Sequence, residues 1–218
     1  MLNIRNAAFA FALFALFPAV GLAGAYEDFF RAVKFDDASE VKSLLKRGFD
    51  PNTVEPERGD SGIVLAVREG SMKVFDVLLN APGIDPELKV KNGDTAMMVA
   101  AYKKNKPAVQ ALLAKGSEVN RPGWTALHYA AAAGDNDIVS LLLENSAYID
   151  AESPNKTTPL MMAVWGGHIM TVKLLLDEGA DATLKNELGM NAIDFAVKFE
   201  RKDIAEGLVY RLKKAGKM

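Results

Sequence analysis

The side chains able to do chemistry are few, and their spacing does not assemble them. The chain carries two histidines and no cysteine. Without cysteine there is no thiolate nucleophile, no disulfide and no Cys-ligated metal. His128 and His168 are far from the i, i+4 spacing that turns two imidazoles toward one zinc ion. No glycine-rich phosphate loop, no G-x-S-x-G and no H-E-x-x-H occurs. Carboxylates are abundant, yet no regularity of spacing forces two of them together as an acid–base pair. Met97, Met98, Met161, Met162 and Met170 could offer soft ligands to a metal, but their helical spacing reads as core filling against neighbouring helices. No catalytic residue, metal site or cofactor is therefore assigned. The residue types that remain suit recognition: the chain's two tryptophans, Trp124 and Trp165, with Tyr102 and Arg68.

What must position them is a repeat. Thr125-Ala-Leu-His-Tyr-Ala-Ala-Ala-Ala-Gly134 is echoed by Thr158-Pro-Leu-Met-Met-Ala-Val-Trp-Gly-Gly167. Each is followed by a second apolar stretch (Ile138–Leu143, Met170–Leu176) and a polar turn. The register extends upstream through Thr95-Ala-Met-Met-Val-Ala100, Ser61-Gly-Ile-Val-Leu-Ala66 and a worn copy at Glu27-Asp-Phe-Phe-Arg-Ala32. Downstream it continues in Asn191-Ala-Ile-Asp-Phe-Ala196. Starts at 27, 61, 95, 125, 158 and 191 are spaced 34, 34, 30, 33 and 33 residues.

Each copy predicts two short helices and a turn. The leading Thr95, Thr125 and Thr158 can accept backbone N–H bonds as helix caps. Pro159 falls at the first helical position, where the missing N–H costs nothing. Alanines at 66, 100, 130 and 163 let neighbouring helices approach closely. Leu44-Leu45, Leu78-Leu79, Leu112-Leu113, Leu142-Leu143 and Leu175-Leu176 form the apolar seam of the second helix. Gly48, Gly116 and Gly179 can take the left-handed conformation that ends it. No copy buries its apolar face alone; stacking supplies the partner.

The T-P-L-H-x-A signature at a 33-residue period resembles the ankyrin repeat. The resemblance covers nearly the whole chain after residue 25. It implies an all-α solenoid of about six stacked helix-turn-helix repeats with finger loops. It also implies that His128, at the fourth place of the signature, hydrogen-bonds across to the adjacent finger. His168 falls on another common family position, at the start of the second helix.

The resemblance further places a concave, partner-binding face on three register positions. Seven after each start stand Lys34, Arg68, Tyr102, Ala132, Trp165 and Lys198. Eight after stand Phe35, Glu69, Lys103, Ala133, Gly166 and Phe199. One before stand Asp60, Asp94, Trp124, Thr157 and Met190. Arg68, Tyr102, Lys103, Trp124, Ala132, Trp165 and Lys198 are the candidate contacts. Either tryptophan could instead fold down over a neighbouring helix. The finger Asn120-Arg121-Pro122-Gly123-Trp124 is clipped relative to the family period. Its Pro-Gly favours a tight type II turn, leaving either a notch beside Trp124 or a neutral surface deletion.

Residues Met1–Ala25 read as a secretory signal peptide: Arg5, an apolar run from Ala7 to Phe17, then Ala23-Gly24-Ala25 before a cleavage expected ahead of Tyr26. The run is about half of the ~20 residues a membrane span needs. Residues 26–218 form the repeat domain. The end copies read as polar caps, the last finishing in a solvated basic run of Arg211, Lys213, Lys214 and Lys217. A formal net charge of −2 offers no basic face for nucleic acid. The expectation is a monomeric, non-enzymatic protein of the periplasm, or a secreted one, that binds another protein. Inhibition of an exported enzyme such as a cell-wall hydrolase, and action as a secreted effector, are alternative forms of that reading.

Overall fold

The computed structural model describes the backbone from Val20 and the side chains from Gly24 to Met218. The apolar run read as the signal-peptide core lies outside the described residues. Among the described residues twelve helices form six pairs: α1 (Val20–Lys34) with α2 (Ala38–Lys46), α3 (Gly62–Glu69) with α4 (Met72–Leu79), and α5 (Ala96–Tyr102) with α6 (Lys106–Ala114). Then come α7 (Ala126–Ala133) with α8 (Asn136–Glu144), α9 (Pro159–Gly166) with α10 (Ile169–Asp177), and α11 (Ala192–Lys198) with α12 (Lys202–Lys214). The first, inner helix of each pair packs on the inner helix of the next, from α1 through α11. The outer helices follow the same order, α6 on α8, α8 on α10 and α10 on α12. The all-α stack read from the sequence is the fold.

The seam has one deep column. Leu44, Leu78, Leu112, Leu142, Leu175 and Leu208 are all buried, one per repeat. Each contributes ~1.5–3 kcal/mol of apolar burial. The second leucine of each pair mostly packs at the edge of that column and is half-buried. Ala66, Ala100, Ala130, Ala163 and Ala196 are fully buried between inner helices, where a larger side chain would hold the repeats apart.

The helix starts follow the capping logic with one variation. Thr95 accepts from the Met98 N–H at 3.5 Å and Thr158 from Met161 at 3.4 Å. Thr125 instead sets its hydroxyl 2.9 Å from Nδ1 of His128. Outer helices α2, α6 and α8 are capped by Asp37, Asn105 and Asp135. Gly179, at φ +102°, turns the chain out of α10 in a backbone region costly for other residues.

Two expectations are corrected. Met170 is 63% exposed at the start of α10 and fills no core, whereas Met97, Met98 and Met161 do. The terminal basic run is not wholly solvated. Arg211 pairs with Asp177 of the preceding repeat at 2.6 Å, and Lys217 lies 3.6 Å from Asp181.

Candidate partner-binding face

The last turns of the inner helices line up because those helices stack in register. This edge carries Lys34 (α1), Arg68 (α3), Tyr102 (α5), Ala132 (α7), Trp165 (α9) and Lys198 (α11). Trp165 is 42% exposed and Tyr102 52%, large values for aromatic side chains that could have been buried. Trp165 keeps its backbone engaged: its carbonyl accepts from Arg201 at 3.1 Å. Lys103 follows Tyr102 as the exposed cap of α5. Lys198 is exposed, with Nζ 5.8 Å from the centre of the Phe199 ring.

Other candidates are committed to internal work. Arg68 forks onto Asp60, Nε to Oδ2 at 2.8 Å and Nη2 to Oδ1 at 3.1 Å. Asp60 is fully buried, so this bidentate pair fixes the guanidinium and leaves only its outer edge free. Asp60, Asp94 and Thr157 were placed on the face by register, yet all three are buried. Ala132 is buried as well; its carbonyl accepts from Nε2 of His168 at 3.0 Å. It contributes a floor rather than an anchor.

Trp124 is half-buried, edge-on to His128 at 5.2 Å and to Tyr129 at 6.4 Å. It folds down onto its own helix α7. The clipped finger beside it is held from both sides. Asn120 donates to the Ser146 carbonyl at 2.6 Å and accepts from the Tyr148 N–H at 2.8 Å. Arg121 pairs with Glu87 at 2.8 Å. Gly123, at φ +90°, has the conformation a type II turn requires at its third residue.

Tyr129 was not singled out by register and belongs to the face. It meets Tyr102 edge-on at 6.2 Å and donates its hydroxyl to Asp94. Burial, then the Asp94 carboxylate, push the phenol well above its ordinary pKa. Tyr102, Tyr129, Lys103, Arg68 and Arg58 surround an open hollow of about 360 Å³. The missed signal was an aromatic at the fourth helical place, one turn before the edge position and so on the same side.

Beneath the face, His128 joins two repeats. Nδ1 accepts the Thr125 N–H at 3.2 Å, which leaves Nε2–H to donate to the Thr157 carbonyl in the next finger at 2.9 Å. Burial pulls its pKa from 6.5 to about 4, against the pull of that carbonyl toward the charged form. His168 is the second cross-link. Gly166 accommodates it, since a Cβ there would lie 2.5 Å from His168 Cδ2 and 2.8 Å from the Ala132 carbonyl oxygen.

Comparison with known proteins agrees with this architecture. A family model for ankyrin repeats, in units of three copies, matches residues 29–122, 63–153, 118–186 and 147–216. The human SH3 and multiple ankyrin repeat domains protein 2 is 30% identical over 177 residues, covering 79% of this chain and 10% of that protein. The mouse nuclear factor NF-kappa-B p105 subunit is 33% identical over 135 residues, 59% of this chain and 14% of that one. A putative ankyrin repeat-containing protein of Treponema pallidum (strain Nichols) is 27% identical over 182 residues, 80% of this chain and 59% of its own length. The chain thus spans only a small part of the longer relatives.

Proposed function

Because the chain belongs to the ankyrin-repeat family, whose members serve generally as non-enzymatic protein-interaction modules, we propose that it binds another protein through the edge and hollow of its inner helices. The observation that carries this reading is Trp165. It is a large aromatic left 42% exposed on the same edge as Tyr102, in a chain whose one alanine at the equivalent position, Ala132, is buried. Tryptophan and tyrosine at the centre of a face are residue types that dominate binding energy when a partner desolvates them. Nothing in the surrounding geometry gathers a nucleophile, base and oxyanion donor, so the face reads as recognition without catalysis.

Removing the anchor tests this. Trp165→Ala should weaken binding of a cognate partner by ~2 kcal/mol or more, about thirtyfold in Kd, with the helical circular dichroism unchanged. Unchanged affinity by titration calorimetry would remove this face from the function.

Export belongs to the same proposal, on the strength of Arg5, the apolar run and Ala23-Gly24-Ala25. Cleavage after Ala25 would take the first six residues of α1 and keep Tyr26, whose hydroxyl donates to the Val54 carbonyl at 3.1 Å, together with the buried Phe29 and Phe30. N-terminal sequencing of protein from the cell exterior or periplasm should begin at Tyr26. A chain found only inside the cell with Met1 retained would contradict it.

A further inference from the structure

The edge of the inner helices alternates in chemistry. Exposed large aromatics stand on it in the first, third and fifth repeats, as Phe35, Tyr102 and Trp165, while Tyr129 in the fourth and Phe199 in the sixth are half-buried. Phe35 is 78% exposed. Cations stand beside and between them as Lys34, Arg68 and Lys103, with Lys198 beyond Trp165. Glu69 is the one carboxylate among the positions seven and eight after each start, and Asp94, which accepts from the Tyr129 hydroxyl, lines the hollow with it. Lys34, Lys103 and Lys198 make no ion pair among the described residues. Arg68 is held in place by buried Asp60 and turns its free edge into the hollow beside Tyr102.

Resting on the partner-binding reading above, we propose that this edge is a rail for one extended acidic segment of a partner protein, with bulky apolar side chains set between its carboxylates. Packed helices are ~8–10 Å apart, so aromatics two helices apart are about 16–20 Å apart. An extended chain advances ~3.3 Å per residue. Apolar anchors about five or six residues apart would therefore fall on Phe35, Tyr102 and Trp165. The carboxylates between them would meet Lys34, Arg68 and Lys103. Between Tyr102 and Trp165 the floor is Ala132 and Ala133, both buried, which lets the segment's backbone lie close. The buried pairing of Arg68 supplies a guanidinium already oriented, so ordering it costs the complex little.

The probes are three synthetic peptides of about fourteen residues, long enough to cross four helix steps at that rise. One alternates glutamate with leucine and phenylalanine; the second has glutamine for every glutamate; the third has lysine. Binding is read from the fluorescence of Trp165, with Trp124→Phe as the background so that one tryptophan reports. The acidic peptide should bind at least tenfold more tightly than the glutamine peptide. That margin should shrink in 0.5 M salt, as screening requires (the Debye length falls to about 4 Å). The exposed pair Lys34→Glu, Lys103→Glu should abolish the margin while circular dichroism stays unchanged. Equal binding of the acidic and glutamine peptides, preference for lysine, or no peptide shifting Trp165 emission would each overturn the acidic rail. The partner-binding reading is decided separately, by Trp165→Ala against a cognate partner. Loss there with no effect of salt or of the two lysine reversals would leave the face in use and this inference wrong.

Discussion

At the scale of single residues, His128 is a side chain that looks reactive and is bonded on both sides within the fold. It is buried, neutral, and bonded through both ring nitrogens, to Thr125 in its own repeat and Thr157 in the next. Its folded pKa of about 4 lies below the ordinary 6.5. The unfolded chain therefore binds the proton first as pH falls. Stability attributable to this group is intact above pH 6.5 and drains away between 6.5 and about 4. A depression of that size corresponds to about 3 kcal/mol. Urea unfolding at pH 7.5 and 4.5 should show the loss. His128→Leu should be less stable at neutral pH by ~1–3 kcal/mol, because the Thr125 N–H and Thr157 carbonyl lose their partner. Its further loss on acidification should be smaller than that of the unmodified protein. An identical acid slope in the variant would assign the pH dependence to other groups.

At the scale of elements, the six helix pairs were legible because three independent signals repeat together: a cap, an alanine and a leucine pair. The interval from Leu44 to Leu78, Leu112, Leu142 and Leu175 reproduces that of the helix starts, and each of these leucines is buried. What the sequence did not disclose lies between the elements. Fingers are tied to one another by polar side chains, Asn52 to Gly83 and Asp85, Asn120 to Ser146 and Tyr148, and Asp150 to Asp181. Asn and Asp abound in loops, and no local pattern distinguishes those reaching across from those capping their own turn. The same ambiguity misplaced Asp60 and Asp94. Register put them at the concave surface, and only the third dimension shows Arg68 and Tyr129 closing over them. Both tryptophans shared that register logic, yet one is half-buried and the other half-exposed. Trp124 has the His128 and Tyr129 rings beside it. Trp165 has no aromatic ring paired with it among the described residues.

At the scale of the whole molecule, the proposed recognition surface is distinct from the contacts that hold the stack together. Each repeat contributes buried area to its two neighbours, so the stack holds through nearest-neighbour contacts. The N-terminal part of the inner-helix edge is rich in charge, with Lys34, Arg68, Glu69 and Lys103, while its C-terminal part from Ala132 through Trp165 and Gly166 is small and apolar apart from the tryptophan. The most direct test of the central claim is hydrogen–deuterium exchange of the protein free and in complex with a cognate partner, read peptide by peptide along the stack. Slowed exchange is expected in the fingers and in the last turns of α3, α5, α7 and α9, with the outer helices α4, α6, α8 and α10 unchanged. Protection confined to those outer helices would contradict it.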